Sequence, residues 1–254
     1  MIAIIIIIII FIIFYFLIFV RKHDKYQYDP LYDYSNIKPR MKTGDIILFA
    51  CRKFDSLGSF IKYTSRTELI GSPYGHVGII LRNGHRLYVM ECTSNVHCAD
   101  EHAYYLNNLG KGGIRIIDLD ILIHSYYKEW GGNFAIRFIS EEIPHARVAK
   151  NFKLYKDKTF GDTFKLGFLT VVDMTISHDL AKRLVPLVDK SKYICSEFAY
   201  EFLYRCGILK KYPAELFWPH LFMDDKLFSP LQLVKYSKPF KFIPRYQNFS
   251  SKKE

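Results

Sequence analysis

The chain has 254 residues, half of them apolar and 24% charged, with 36 Lys and Arg against 25 Asp and Glu for a formal net charge of +11. That apolar content excludes wholesale disorder, and five cysteines spread over a chain this long exclude a small disulfide-stapled scaffold. The 21 Phe and 19 Tyr accompany an excess of Ile and Lys, all residue types with A- and T-rich codons, so the aromatics are read as genomic bias and not as nucleic-acid stacking platforms.

Residues 2–20 form an unbroken apolar run that includes isoleucine at every position from 4 to 10. As a helix rising about 1.5 Å per residue, it would just span a hydrocarbon layer about 30 Å thick. A cleaved signal peptide is the competing reading. No basic segment precedes the run and no small-residue cleavage site follows it, so a retained anchor over 1–20 is expected. Arg21, Lys22 and Lys25 flank it, and the positive-inside rule then places the following chain on the cytosolic side of a single-pass membrane protein. A polar, tyrosine-rich linker over 21–40 leads to a folded domain over 41–254. That domain ends in a basic tail carrying Lys235, Lys238, Lys241, Arg245, Lys252 and Lys253. Such charge suits an anionic lipid surface. A plainly solvated basic face is the alternative, and no nucleic-acid partner is expected because no recognised motif accompanies the charge.

Within the domain, short β-type runs are predicted at 45–50, 76–81, 86–91, 114–119 and 134–139. Helices are predicted at 56–65, 141–156 with Ser140 as N-cap, 179–187, and 192–206 with Gly207 at the C′ position. Clustered strands with helices mostly at the two ends read as α+β.

The segment 75–91 carries the strongest local signal. Asn83-Gly84 between two apolar runs is the preferred type I′ hairpin turn. With those two residues in the turn, Arg82 faces His85, and following the register back along the ladder sets His76 directly opposite Glu91. Opposed residues on one sheet face have Cβ atoms about 5 Å apart, near enough for a carboxylate to orient and charge-stabilise an imidazole. A one-residue bulge would break this pairing. In the helix predicted at 192–206, Cys195, Ala199, Phe202 and Cys206 share a face, which puts Cys195 in the first turn. There the helix dipole favours a thiolate, and the unpaired amides suit a developing oxyanion. Taken singly, the His–Glu pair reads as a structural hydrogen bond and Cys195 as a core residue.

The order His76, Glu91, Cys195, with Gly44-Asp45-Ile46-Ile47-Leu48-Phe49 ahead of a Gly-His-Val-Gly-Ile strand and a Cys-Ser-Glu-Phe helix start, resembles the circularly permuted papain-like (NlpC-type) cysteine peptidases and amidases. That group includes bacterial lipoprotein-like members and homologues in large DNA viruses. The resemblance covers about 43–207, although the stretch between Cys92 and Lys192 offers no matching motif. It implies a permuted papain-like α+β fold, a small antiparallel sheet packed against helices and preceded by the transmembrane helix. It also implies Cys195 as nucleophile, His76 as general base and later acid, and Glu91 as the group orienting His76, with no metal or cofactor. The implied activity is a membrane-anchored thiol hydrolase acting on peptide or amide bonds through an acyl-enzyme. The alternatives are a lipid-directed acyl hydrolase or acyltransferase, as in the lecithin:retinol acyltransferase-like branch, and a catalytically idle membrane or virion structural protein. The A/T-biased composition fits the genome of a large DNA virus or of an AT-rich cellular parasite.

Cys92, His97, Cys98 and His102 bring four N/S ligand types close together, but their spacing is not that of a paired-ligand zinc site, and Cys92 should point away from the Glu91 face. Gly110-Lys111-Gly112-Gly113 lacks the surroundings of a phosphate loop. His124, His145, His178 and His220 carry no functional reading.

Overall fold

The structure, a computed structural model, describes residues 32–50, 74–93, 103–106, 112–130, 132–161, 169, 172–187 and 192–244. In chain order these form β1 (Tyr32–Asp33), α1 (Tyr34–Ile37), β2 (Ile46–Ala50), β3 (Tyr74–Asn83), β4 (Arg86–Thr93), β5 (Ala103–Leu106), β6 (Gly113–Asp118), α2 (Leu119–Trp130) and β7 (Asn133–Arg137). They continue with α3 (His145–Phe152), β8 (Thr159–Phe160), α4 (His178–Leu184), β9 (Lys192–Tyr193), α5 (Cys195–Arg205), α6 (Asp225–Phe228) and β10 (Phe240–Ile243).

Among the described residues the strands join into one ten-stranded sheet in the order β1-β10-β7-β2-β3-β4-β6-β8-β9, with β5 also paired to β6. The β1–β10 and β8–β9 pairs are parallel and the rest antiparallel. This corrects the expected small antiparallel sheet: the molecule has a large mixed sheet in a mixed α/β fold. The predicted strands are its centre. The two-residue strands β1, β8 and β9 widen it, and so does β10, whose Phe-Lys-Phe-Ile alternation lies in what read as a basic tail. Residues 32–40, placed by sequence at the end of a linker, carry β1 and α1, with Ile37 buried.

The single-pass membrane placement is also corrected. Among the described residues no helix is long and apolar enough to cross a membrane. Residues 1–20, on which that placement rested, lie outside the described residues, as does the helix predicted at 56–65.

Strand alternation fills a core on each side of the sheet. Ile46 and Leu48 of β2 join Val77, Ile79, Met90, Cys92 and Ile114 against Phe198 and Phe202 of α5. Ile47 and Phe49 join Ile80, Val89, Ile117, Phe134 and Ile136 against Leu119, Leu122 and Ile123 of α2. Each fully buried large apolar side chain contributes about 1.5–3 kcal/mol relative to exposure, so these two layers hold the sheet rigid. α3 is shorter than predicted because Pro144 stands at its N-cap and biases the preceding residue toward extended backbone. α4 starts after Ser177, whose hydroxyl accepts from the Leu180 amide. At the end of α5, Gly207 takes φ +72°, with Gly207 N–H donating to the Tyr204 carbonyl (2.9 Å) and Ile208 N–H to that of Leu203 (3.0 Å). These two bonds make a Schellman cap with glycine at C′, as the sequence predicts.

Candidate active site

The β3–β4 register differs from the sequence expectation by two positions. Asn83 pairs with Arg86 and Gly78 with Glu91, so the turn residues are Gly84 and His85. Gly84, at φ +59°, holds the first central position, where both primed hairpin turns need a positive φ. Glu91 therefore faces Gly78, and His76 lies one same-face position farther along β3. A two-residue shift leaves the face unchanged. A Cβ built on Gly78 would lie 2.4 Å from Val89 Cγ1 and 3.5 Å from Glu91 Cβ. Bare backbone at Gly78 thus leaves room for Val89, and Glu91 runs diagonally along this face, its Oε2 meeting His76 Nε2 at 2.7 Å.

A bulge sets the other coordinate of His76. On β2, Phe49 pairs with His76 and Ala50 with Tyr74, which makes Gly75 an extra residue in β3. The bulge switches the face of the strand: Tyr74 packs into the α5-side core, whereas the His76 ring packs on the α2 side. There it lies 5.4 Å from the Phe49 ring and 6.1 Å from that of Tyr126, the latter stacked at 13°. The Gly75 carbonyl stands 4.0 Å from Cys195 Sγ.

Cys195 is the first residue of α5, after Ile194 at the N-cap. Glu197 Oε2 accepts the Ile194 amide at 3.3 Å, which ties down the start of the helix. The first-turn amides have no carbonyl partner within the helix, so they and the dipole favour negative charge beside Cys195. The thiol interacts with the imidazole by charge and by hydrogen bond. Because Nε2 of His76 is taken by Glu91, Nδ1 is the nitrogen left for the thiol.

The Glu91 carboxylate is fully buried and divided between two cations. Oε2 faces His76, and Oε1 accepts a hydrogen bond from Arg115 Nε at 2.7 Å and stands 2.6 Å from Arg115 Nη2 as an ion pair. Arg115 is the residue paired with Glu91 across the β4–β6 ladder and is itself fully buried. Burial alone would push the Glu91 carboxyl up, but Arg115 and then His76 hold it at about 2. Burial also works against the His76 imidazolium. The Glu91 charge, the Cys195 charge and hydrogen bonds to both outweigh that and raise His76 to about 10. The result is a row of alternating charge from Arg115 through Glu91 to His76 that ends at the Cys195 thiol, with His76 15% and Cys195 7% exposed.

Sequence reasoning therefore brought Cys195, His76 and Glu91 to one place, with the pairing diagonal instead of direct. It missed Arg115, whose signal was a lone charge among Ile114, Ile116 and Ile117, and the Phe49–Tyr126 walls around the imidazole. Cys92 faces away from Glu91, as expected, and donates to the Tyr193 carbonyl at 3.3 Å inside the core. Burial pushes its thiol well up, helped by the negative charges of Cys195, Glu197 and Glu91. His97, Cys98 and His102 lie outside the described residues, as do Gly110 and Lys111. Among the described residues no group of His, Cys, Asp and Glu is arranged to hold a metal. His178 meets Asp173 at 2.5 Å and stacks on Tyr212.

Fold and site together define a mixed α/β protein that holds a Cys–His–Glu constellation at the start of a helix packed on a large sheet. No family model matches the chain. Over 213 residues, 83% of this chain and 85% of the relative, it is 40% identical to an uncharacterized protein of Acanthamoeba polyphaga mimivirus, and the chain belongs to the family of that protein. Among solved structures it is similar to the metalloprotein yiiX of Escherichia coli O157:H7, at 15% identity over 84% of this chain and 94% of that one. The TM-score is 0.38, too slight a likeness to carry an argument about fold or function.

Proposed function

We propose that the protein is a cysteine-dependent acyl hydrolase of the peptidase or amidase type, with Cys195 as nucleophile, His76 as general base and acid, and Glu91 orienting His76. The observation that carries this reading is His76 itself, bound through Nε2 to a buried carboxylate and turned toward a thiol on the first turn of a helix. The resemblance to permuted papain-like enzymes, made on those residues, supports it.

In this reading the Cys195 proton passes to His76 Nδ1, and the thiolate attacks the acyl carbon to form a C–S bond. The first-turn amides of α5 hold the oxyanion. Collapse breaks the acyl–nitrogen bond, and the imidazolium gives its proton to the departing amine. His76 then takes a proton from water, whose oxygen attacks the thioester and frees Cys195. Glu91 keeps Nε2–H engaged throughout, which fixes the tautomer.

The test is to treat the full chain with p-nitrophenyl acetate, an activated acyl donor, and map acetylated cysteines by peptide mass spectrometry. An acetyl group that forms first on Cys195 and is lost from it with time, with neither step in His76→Ala, is the expected result. Acetylation of Cys195 no faster than that of the other cysteines, or unchanged in His76→Ala, overturns the reading. It would favour the catalytically idle scaffold, for which the low exposure of Cys195 speaks.

A further inference from the structure

We propose that Arg115 is a positioning residue of this site, anchoring the Glu91 carboxylate so that the proton released by Cys195 stays on His76 and does not pass on to Glu91. The inference rests on the acyl-hydrolase reading and adds a fourth member to it.

The geometry divides the two carboxylate oxygens. Both Arg115 contacts, at 2.7 and 2.6 Å, go to Oε1, and the His76 contact at 2.7 Å goes to Oε2. Arg115 reaches Oε1 because β4 and β6 pair Glu91 with Arg115 directly, and neither side chain has any exposure. Water therefore cannot stand in for the guanidinium. A buried carboxylate with an imidazolium as its sole partner can discharge itself by taking the imidazolium proton, which leaves two neutral groups and an uncompensated thiolate. The fixed charge of Arg115 makes the ionised carboxylate the stable form, and Arg115 cannot give up a proton of its own. The proton taken from Cys195 then has one place to rest. Among the described residues, Glu91 is faced by Arg115 from β6 and His76 from β3. His76 is faced by Glu91 from β4 and Cys195 from α5, with the uncharged rings of Phe49 from β2 and Tyr126 from α2 on its other side.

The experiment follows iodoacetamide alkylation of Cys195 across pH in the full chain, with the Cys195 peptide quantified by mass spectrometry and folding checked by circular dichroism. The variants are Arg115→Met, Arg115→Lys, Glu91→Gln and the double variant Arg115→Met with Glu91→Gln. In wild type the reactivity midpoint is expected well below the ~8.5 of a free thiol. Arg115→Met and Glu91→Gln should each raise it toward that value, and Arg115→Lys, which keeps charge but loses the fork, should lie between. Adding Arg115→Met to Glu91→Gln should move it no further, because Arg115 then has no carboxylate to hold. If Arg115→Met does not fold, Arg115→Lys carries the test. A low wild-type midpoint that Arg115→Lys and every folded Arg115 variant leave unchanged overturns the inference alone. A wild-type midpoint near that of a free thiol takes down the acyl-hydrolase reading and this inference with it. A purely structural Arg115 would change the melting temperature and not the midpoint.

Discussion

Asp45 offers a sharp test of the electrostatics of the fold. It has no exposure, and it sits where the chain enters β2. Its carboxylate accepts the Lys42 amide at 2.7 Å through Oδ2 and the Ile139 amide at 2.8 Å through Oδ1. Desolvation outweighs those two bonds and the charge of Lys42, and raises the pKa from 3.8 to about 7. The folded chain therefore holds this proton more tightly than the unfolded chain does, so the contribution is fully present below pH 3.8 and is lost as pH rises through about 7. Between pH 5 and pH 8 the loss comes to about 2–3 kcal/mol, at 1.36 kcal/mol per pKa unit. In the unfolded chain His76 titrates near 6.5, inside this window, while in the folded chain it stays protonated up to about 10, so only a difference between variants isolates Asp45. The assay is urea unfolding of wild type and Asp45→Asn at pH 5 and pH 8. Asparagine offers one acceptor in place of two, so the variant is expected to be weaker at pH 5, by about 1–2 kcal/mol for the orphaned amide. Its loss on going to pH 8 should be smaller than the wild-type loss by about 2–3 kcal/mol. Equal losses in the two proteins would refute the assignment of a buried, proton-holding Asp45.

Three further outcomes are expected. Arg137, 1% exposed, bonds the Phe222 carbonyl, the Ser237 carbonyl at 2.8 Å and Asp225 at 2.7 Å, so Arg137→Ala should cost about 2–4 kcal/mol in urea unfolding by orphaning two carbonyls. A loss under 0.5 kcal/mol, the range of a surface substitution, would show that water replaces the guanidinium. Gly78→Ala drives a methyl group to within 2.4 Å of Val89 Cγ1, so it should destabilise by about 1–3 kcal/mol in urea unfolding, and adding Val89→Ala should restore part of the loss. Cys92 and Cys206, both buried and with thiols pushed up (Cys206 to about 11), should resist iodoacetamide in the folded chain and react in urea, as followed by peptide mass spectrometry.

The centre of the fold was legible because its elements carry period and punctuation. The β2 to β4 runs are short, apolar and bounded by turn signals, Asn83-Gly84 signals a hairpin, and Cys195 to Gly207 has both an amphipathic face and a capping glycine. The parts that were not legible lack such marks. A two-residue strand has no period to detect, and the Phe240–Ile243 strand was masked by the lysines around it. The hairpin register moved because Gly84, free at positive φ, takes the first central turn position and leaves Asn83 in the ladder. The meeting of His76 with Glu91 survived that error because side chains keep their face under a two-residue slip. Gly75 could not be recognised as a bulge from sequence, since nothing in Tyr74-Gly75-His76 distinguishes an extra residue from a paired one. Arg115 was visible as a charge in an apolar strand, yet its partner depended on the β4–β6 pairing, which no local signal supplies.

The bulge at Gly75 has a dynamic consequence. Because it turns β3 over, His76 is seated in the layer under α2 while Cys195 belongs to the layer under α5. The constellation is assembled only while both layers keep their places on the same sheet. Loosening either one separates thiol from imidazole, even if the sheet itself stays intact. The reactivity of Cys195 should then behave as a strain gauge for the molecule, falling with mild denaturant before any global transition, in the manner of a low-free-energy local opening.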